Sequence, residues 1–303
     1  MISHAPKAFS VWFRAARLVA APASLGPVAV GGLLPRAMGL PISWPDWWTA
    51  LAAALLLHTA ANLWNDYFDF TSGLDRLGGS MGSGVLPRGE LTPRQVLAAA
   101  LGCTLLSGVL GLWLAWRVAG WRLLALGGGG VLAAAAYAAG PWSPKRRGTG
   151  ELWVLLWMGP AMTEGAFLVQ TGHFSMAAGG VGVLLGILSA LLMFLANARD
   201  LQTDQAVGLH TLAYWASTLG KPQKKPLACV TCLFLGALYG LLGLFMGHFL
   251  SSAAKWAFLT LPVAVSIVLR AFRGQFDAKT VELSALLHLL FALFLAIALL
   301  GAP

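Results

Sequence analysis

Negative charge is scarce in this chain. Of its 303 residues, 11 are acidic and 20 are basic, and charged residues together make up 10% of the sequence. A soluble globular domain carries about 25% charged residues, so this class is excluded. A hydrophobic content of 58% excludes a disordered chain, and three cysteines are too few for a disulfide scaffold. The composition therefore indicates an integral membrane protein.

Long apolar runs occupy most of the sequence. A membrane-spanning helix needs about 20 mainly apolar residues. Nine segments have this length and composition: 18–37, 46–67, 95–115, 119–139, 152–171, 177–197, 227–248, 254–271 and 282–301. We therefore expect an all-α integral membrane protein with nine transmembrane helices, which forms a single domain over residues 1–303.

The basic residues are divided unequally between the two sides of these spans. With nine crossings, 16 of the 20 basic residues fall on the side of the N-terminus. Basic residues concentrate in cytoplasmic loops, so we expect a cytoplasmic N-terminus and an outer C-terminus in the cell (inner) membrane. Topology then explains the net charge of +9, and no nucleic-acid partner is required.

Five of the eleven acidic residues fall into two clusters, each at the cytoplasmic end of a predicted span. The first cluster contains Asn62, Asn65, Asp66 and Asp69, followed by Asp75, and the second contains Asn197, Arg199, Asp200 and Asp204. Spacings of three and four residues place Asn62, Asp66 and Asp69 on one helix face. The same rule places Asn197, Asp200 and Asp204 on one face.

Carboxylates at a helix C-terminus add negative charge where the helix dipole is already negative. A divalent cation would relieve this repulsion. Mg²⁺ prefers oxygen ligands and commonly binds through one or two carboxylates together with substrate phosphate oxygens. Two such clusters facing each other would hold a diphosphate between metal ions, whereas simple solvation of the aspartates is the alternative.

A run of basic residues lies in a cytoplasmic loop between the clusters, at Lys145, Arg146 and Arg147. Arginine binds phosphate through two parallel hydrogen bonds and lysine binds it as a point charge. The same run also satisfies topology or contacts anionic lipid, so both interpretations stay open. Arg199 is more specific, because it adjoins Asp200 within the second cluster.

The two clusters resemble a known pair of motifs. Residues 65–75 (NDYFDFTSGLD) and 197–204 (NARDLQTD) are similar to the two aspartate motifs of the UbiA superfamily of intramembrane prenyltransferases. Residues 147–152 (RGTGEL), 159–160 (GP) and 169–172 (VQTG) resemble the subfamily that prenylates 1,4-dihydroxy-2-naphthoate. The likeness runs along nearly the whole chain.

This resemblance implies nine helices around a central cavity open to lipid. It also implies that Mg²⁺ bound by Asp66, Asp69, Asp200 and Asp204 holds a polyprenyl diphosphate, with Asn62, Asn65 and Asn197 assisting. In the naphthoate subfamily the acceptor loses its carboxylate and demethylmenaquinone is formed. Asp75 is more widely spaced than in many members, and His210 stands where the family usually has a basic residue; both are expected near the diphosphate.

The acceptor side of the cavity has fewer markers. We expect Tyr67, Phe68 and Tyr137 to line it. Glu164 lies within a predicted span, where a charge costs at least about 2.5 kcal/mol, so it must face a partner or the cavity. Glu151, at the start of the same span, is interpreted as stabilising a helix N-terminus.

Two alternatives remain open. An enzyme of the same superfamily could use another acceptor, such as 4-hydroxybenzoate, homogentisate, haem or a lipid. A transporter is the alternative outside enzymes, but its sites usually lie near the bilayer midplane, whereas these acids cluster at one face. The expected partners are thus a polyprenyl diphosphate, an aromatic acceptor and membrane lipid.

Overall fold

The computed structural model describes residues 5–73, 82–138, 143–246 and 252–301, which form helices and connecting turns and no strand. The helices are α1 (Ala5–Ala15), α2 (Pro22–Ala37), α3 (Trp44–Thr71), α4 (Pro93–Leu114), α5 (Gly120–Ala138), α6 (Pro144–Arg147), α7 (Gly150–Leu156), α8 (Met162–Thr171), α9 (Met176–Arg199), α10 (Leu201–Ala206), α11 (Leu212–Thr218), α12 (Lys224–Met246), α13 (Leu261–Phe272) and α14 (Ala278–Leu300). Single π-helical turns extend α4 and join α7 to α8. The all-α prediction is therefore confirmed.

Seven helical segments within the described residues are long and apolar enough to cross a membrane, judged by length and composition. They coincide with seven of the nine predicted spans. The other two predicted spans, 46–67 and 119–139, fall on α3 and α5, which are helical but do not reach the same apolarity. Polar residues such as His58 and Asn62 lower the hydropathy of α3. The number of nine crossings stays a prediction.

Helix α9 forms the centre of the bundle. Its most apolar window is 78% buried, whereas the corresponding window of Pro93–Val118, which contains α4, is 11% buried. Buried residues of α9 such as Leu188, Leu191 and Phe194 pack with side chains from α2, α12 and α14 in the largest apolar cluster. The polar cluster at the end of α9 is therefore attached to the most enclosed helix of the protein.

Small residues let α9 approach the π-helical turn between α7 and α8. A Cβ on Gly182 would lie 2.6 Å from the Cα of Pro160, and one on Gly186 would lie 3.2 Å from the Cα of Gly159. Neither contact leaves room for a larger side chain, which is how small residues bring membrane helices together. This close approach places the start of α7 beside the last turns of α9.

The two ends of the bundle differ in chemistry. At one end, Ser43 before α3 exchanges two hydrogen bonds with Gln170 of α8, through its backbone N–H (2.8 Å) and its carbonyl (3.2 Å). The other end contains Asp66, Asp69, Asp200 and Asp204, and is called the aspartate end below. Helices α3 and α9 therefore run in the same direction and finish at the aspartate end.

Candidate active site

The first aspartate motif lies on one continuous helix, as its spacing predicts. Helix α3 begins with Pro45 in its first turn, a favoured position, and ends before Gly73, whose φ of +77° suits glycine. Asp66 and Asp69, three residues apart, are both buried, with 3% and 4% exposure. Two carboxylates enclosed one turn apart need positive charge or hydrogen-bond donors close by.

Asp66 receives these donors from two distant parts of the chain. The Arg17 guanidinium Nη2 lies 2.7 Å from Asp66 Oδ1. The Ser83 backbone N–H donates to the same oxygen at 3.2 Å, and its hydroxyl donates to Oδ2. Gly82 lies directly over the carboxylate, so that a Cβ there would be 3.1 Å from Oδ1. The chain before α2 and the loop before α4 therefore meet over the first motif.

Arg17 holds an unfavourable backbone conformation to make this contact. Its φ of 50° and ψ of 45° are left-handed, and no other non-glycine residue in the described ranges has a positive φ. Such a conformation costs roughly 1–2 kcal/mol outside glycine. Nearby, the amide of Asn62 donates to the His58 carbonyl at 2.9 Å, and His58 Nδ1 lies 2.8 Å from Ser24 Oγ. This polar group beside the Arg17 carbonyl braces the strained turn.

The loop before α4 is itself tied down. Arg88 donates to the Ser83 carbonyl at 2.9 Å, and both Arg88 and Arg14 pair with Glu90. The hydrogen bond from Arg88, supported by Arg14, holds the pKa of Glu90 below its ordinary value. These contacts connect α1 to the loop that covers Asp66.

The second motif is divided between two helices, and the prediction of a single helix face is wrong here. Helix α9 ends at Arg199, Asp200 has a φ of −93° and ψ of 11°, and α10 starts at Leu201. The Asp204 N–H still donates to the Asp200 carbonyl at 2.9 Å, so the two aspartates stay about one turn apart. Asp204 is fully buried.

Two residues pair with the second motif: Arg199, which is adjacent to Asp200 in sequence, and Glu151 of α7. Arg199 donates to both carboxylate oxygens of Asp200, at 2.8 and 2.6 Å, in the paired geometry that arginine favours. One turn earlier, the Asn197 amide donates to Glu151 Oε1 at 2.8 Å. Glu151 had been interpreted only as a helix N-terminal residue. Its buried contact with Asn197 makes it part of the site, and the sequence contained no signal for that pairing.

Tyr137 lies between the two motifs. Its hydroxyl is 3.5 Å from the sulfur of Met193, and the carboxylates of Glu151, Asp69 and Asp204 lie near enough to interact with it electrostatically. Asp69 lies in the last turn of α3 and Asp204 lies in α10, so both motifs have a residue near this hydroxyl. That Tyr137 lines a cavity stays a prediction.

The basic loop lies against the chain that follows the second motif. Gly148, with φ of +74°, packs on the His210 carbonyl and the Trp215 ring, and a Cβ there would be 2.7 Å from the carbonyl oxygen. Arg146 and Arg147 are exposed beside it. The His210 ring is also exposed and packs on Tyr214, with centroids 4.5 Å apart. The side chain of Lys145 and the whole of Asp75 lie outside the described residues.

Three predicted residues are not brought to this region. Phe68 is 45% exposed and stacks on Trp64 at 5.5 Å, and Tyr67 packs in the apolar cluster shared by α1 and α4. Around the helix axis, Tyr67 lies about 100° and Phe68 about 200° from Asp66. Neither side chain therefore shares the helix face of Asp66. Glu164 lies at the opposite end of α9, where its Oε2 accepts the Ser175 N–H at 3.0 Å. The Ser175 N–H is therefore the hydrogen-bond partner that the Glu164 carboxylate was expected to have.

The donor set suits a hard cation. Within the described part of the chain, no three His, Cys, Asp or Glu side chains form a ready metal cage. Mg²⁺ does not need one, because it retains waters and binds through one or two carboxylates plus phosphate oxygens. Asp66 with Asp69, and Asp200 with Asp204, supply such pairs, and Asn65 adds an amide oxygen next to the first.

Comparison with known proteins finds relatives of this chain in one family. Residues 24–291 match the model of the UbiA prenyltransferase family. The chain is 31% identical over 215 residues to 1,4-dihydroxy-2-naphthoate octaprenyltransferase of Mycobacterium tuberculosis, covering 68% of this chain and 69% of that protein. It is 28% identical to the protein of that name from Bacillus subtilis, over 54% of this chain and about half (52%) of the relative.

A vertebrate relative and two solved structures also match. UbiA prenyltransferase domain-containing protein 1 of Gallus gallus is 30% identical over 288 residues, covering 93% of this chain and 82% of the relative. The apo structure of a UbiA homolog from Aeropyrum pernix K1 superposes with a TM-score of 0.72 at 16% identity, over 91% of this chain and 97% of that one. A UbiA homolog from Archaeoglobus fulgidus, bound to GPP and Mg²⁺, gives 0.57 at 15% identity, over 96% and 99%.

Proposed function

Because this chain belongs to the UbiA prenyltransferase family, we propose that it transfers a polyprenyl group from prenyl diphosphate to 1,4-dihydroxy-2-naphthoate. The carbon–oxygen bond between the prenyl group and diphosphate breaks, the acceptor carboxylate leaves as carbon dioxide, and the product is the hydroquinone form of demethylmenaquinone. The choice of acceptor is supported by the Mycobacterium tuberculosis relative, whose name states that acceptor, and by the resemblance of residues 147–152 to the naphthoate subfamily. The vertebrate relative has a name that specifies no acceptor.

One observation carries the proposal of diphosphate chemistry. Three of the four predicted metal ligands, Asp66, Asp69 and Asp204, are buried at the aspartate end, and a residue of each motif lies near the Tyr137 hydroxyl. Burying a carboxylate in an apolar protein costs free energy unless the carboxylate is paired or binds a cation. Their convergence therefore favours a site that binds cations together with an anionic substrate.

Mg²⁺ is the metal that we propose for this site, held by Asp66 and Asp69 on one side and by Asp200 and Asp204 on the other. When bound, it would neutralise charge that develops on the leaving diphosphate. The Archaeoglobus fulgidus homolog with GPP and Mg²⁺ supports this choice, as does the all-oxygen donor set.

The chain's own residues have three tasks in this reaction. Arg17 and Arg199 bring guanidinium groups to the two motifs, where they can orient phosphate oxygens and stabilise the leaving group. Arg146 and Arg147 add positive charge on the exposed surface beside Gly148. Below them, the apolar bundle excludes water, which would otherwise capture the allylic cation, and accommodates the isoprenoid chain.

The orientation in the membrane follows from charge. Arg14, Arg17, Arg88, Arg146 and Arg199 all lie at the aspartate end. By the positive-inside rule we place this end, and hence the active site, on the cytoplasmic side of the cell (inner) membrane.

An assay of purified protein in detergent tests the function. We expect Mg²⁺-dependent prenylation of 1,4-dihydroxy-2-naphthoate and not of 4-hydroxybenzoate. Asp66→Asn and Asp200→Asn should each lower the rate at least about 100-fold, the range seen when charge stabilisation is removed.

Asp277→Asn is the matched control. Asp277 also pairs with an arginine, Arg270, at 2.6 Å, but it lies at the start of α14, and asparagine caps a helix equally well. Its rate should stay unchanged. Full activity of the Asp66 and Asp200 variants would contradict the mechanism, and transfer to 4-hydroxybenzoate alone would contradict the acceptor.

A further inference from the structure

Glu151 is enclosed in a way that a helix N-terminal residue does not need. It lies in the first turn of α7 with 3% exposure. Its Oε1 accepts the Asn197 amide at 2.8 Å, and the backbone N–H of Leu212 faces the carboxylate. The second oxygen, Oε2, is buried and accepts no hydrogen bond from any residue in the described ranges.

The depth of Glu151 in the bundle is set by its partners on α9. Asp200 terminates α9, Asn197 lies one turn earlier, and Met193 lies one turn earlier again, each turn being about 5.4 Å. Tyr137 contacts Met193, and its ring packs 3.5 Å from the Cβ position of Gly150. Glu151 therefore lies beside Tyr137 and about one helical turn below the aspartates, that is, closer to the middle of the bundle. This level is called the layer below the aspartates.

This layer is where an acceptor must bind. The reacting carbon of a prenyl diphosphate is bonded directly to the diphosphate oxygen, so it lies immediately below the aspartates. A ring that attacks this carbon must lie about 3–3.5 Å from it, and hence beside Glu151 and Tyr137. A buried carboxylate oxygen that lacks a donor is strongly unfavourable, and a ring hydroxyl of the acceptor is a donor.

We propose that Glu151 Oε2 accepts a hydrogen bond from a ring hydroxyl of the aromatic acceptor, and thereby selects and orients hydroxylated rings. This inference rests on the proposed function. As the ring carbon bonds to the allylic carbon and the carbon–oxygen bond to diphosphate breaks, the hydroxyl oxygen gains positive charge. The carboxylate stabilises that charge and itself forms no covalent bond.

Equilibrium binding of the acceptor tests this role without turnover. Wild-type protein is titrated with 1,4-dihydroxy-2-naphthoate and with its 1,4-dimethoxy analogue, and tryptophan fluorescence is followed. We expect the dimethoxy compound to bind at least about tenfold more weakly, which corresponds to about 1.4 kcal/mol, because it cannot donate a hydrogen bond to the charged carboxylate.

Glu151→Gln is the informative variant, because Asn197 still pairs with the side-chain oxygen while an NH₂ donor replaces Oε2. It should bind the dihydroxy compound about tenfold more weakly and the two compounds within about twofold of each other. Glu282→Gln, which removes a largely exposed carboxylate on α14, should behave as wild type. Binding of Mg²⁺ with inorganic pyrophosphate should be unchanged in Glu151→Gln.

Two results would overturn the inference. One is unchanged discrimination between the two compounds in Glu151→Gln. The other is an equal loss of Mg²⁺–pyrophosphate binding, which would assign Glu151 to the diphosphate layer. Failure of the wild-type protein to bind or prenylate the dihydroxy compound would instead contradict the proposed acceptor, and the same titrations with 4-hydroxybenzoate and its methoxy analogue would then test Glu151 separately.

Discussion

The two aspartate motifs are similar in sequence but are stabilised in different ways. Asp66 is paired with Arg17, 49 residues earlier, and with Ser83, 17 residues later. Asp200 is paired with the adjacent Arg199. The first motif depends on three separate parts of the chain that must assemble, whereas the second depends mainly on its own helix end and on Glu151.

The two motifs are expected to have the same role, but Asp66 and Asp200 are held in place by different numbers of separate chain segments. The carrier of the second motif, α9, is the most enclosed of the candidate spans, while α3 packs mainly on the outward-facing α4. We therefore expect the first motif to be the more sensitive to loss of its partners, and the following experiments test that asymmetry.

Removing the guanidinium partners should show the largest contrast. Arg17→Ala leaves the buried Asp66 carboxylate without its ion pair, a change of about 2–3 kcal/mol after allowance for the partial exposure of Arg17. Arg199→Ala removes a more exposed pair and should cost at most about 1 kcal/mol. Thermal unfolding in detergent measures both.

A double variant separates the charge from the packing. If Arg17→Ala destabilises because Asp66 is left charged and buried, then Asp66→Asn added to it should restore part of the loss. Equal destabilisation by the two arginine variants would remove the proposed asymmetry between the motifs.

Loss of the Ser83 hydroxyl should have an intermediate effect. Ser83→Ala removes the hydroxyl hydrogen bond to Asp66 and leaves those of the Ser83 backbone N–H; one such bond is worth about 1 kcal/mol. We expect weaker binding of prenyl diphosphate, by about fivefold, in an equilibrium titration. The matched control is Ser72→Ala, whose hydroxyl donates to the Asp69 backbone carbonyl at 3.2 Å and not to a carboxylate; if it weakens binding equally, the Ser83 contact has no special role.

The smallest effect is expected at Glu90. The pKa of Glu90 is lowered mainly by Arg88, so its ion pairs stabilise the folded protein at neutral pH. This contribution disappears as the pH falls through the lowered pKa. The unfolding midpoint should decline slightly more with acidification in the wild type than in Glu90→Gln, and coincident pH curves would show that these ion pairs do not stabilise the first motif.

The sequence predicted the helices and the position of each motif at the end of its helix, because both depend on local patterns. Apolar length identified α9, and the spacing of Asn62, Asp66 and Asp69 identified one helix face. Arg199 could be paired with Asp200 because they are adjacent. Sequence alone also led to an error, since nothing in residues 197–204 revealed that the helix ends at Asp200.

The remaining partners could not be predicted, because they depend on tertiary contacts. Arg17 is one of the 16 basic residues that the sequence explains by membrane topology alone. Its contact with Asp66 requires α1, α2 and α3 to be packed together. Ser83 lies in a glycine-rich loop whose direction no pattern specified. Glu151 contacts Asn197 only because Gly159, Gly182 and Gly186 let α9 approach the turn after α7.

The left-handed backbone of Arg17 allows the cost of its conformation to be separated from the contribution of its side chain. Glycine at this position would adopt the same conformation without strain and recover roughly 1 kcal/mol relative to alanine. It would also remove the guanidinium from the first motif. Local strain of this kind persists where function requires it. Here the ion pair with Asp66 outweighs the strain, so Arg17→Gly should be more stable than Arg17→Ala but less stable than the wild type.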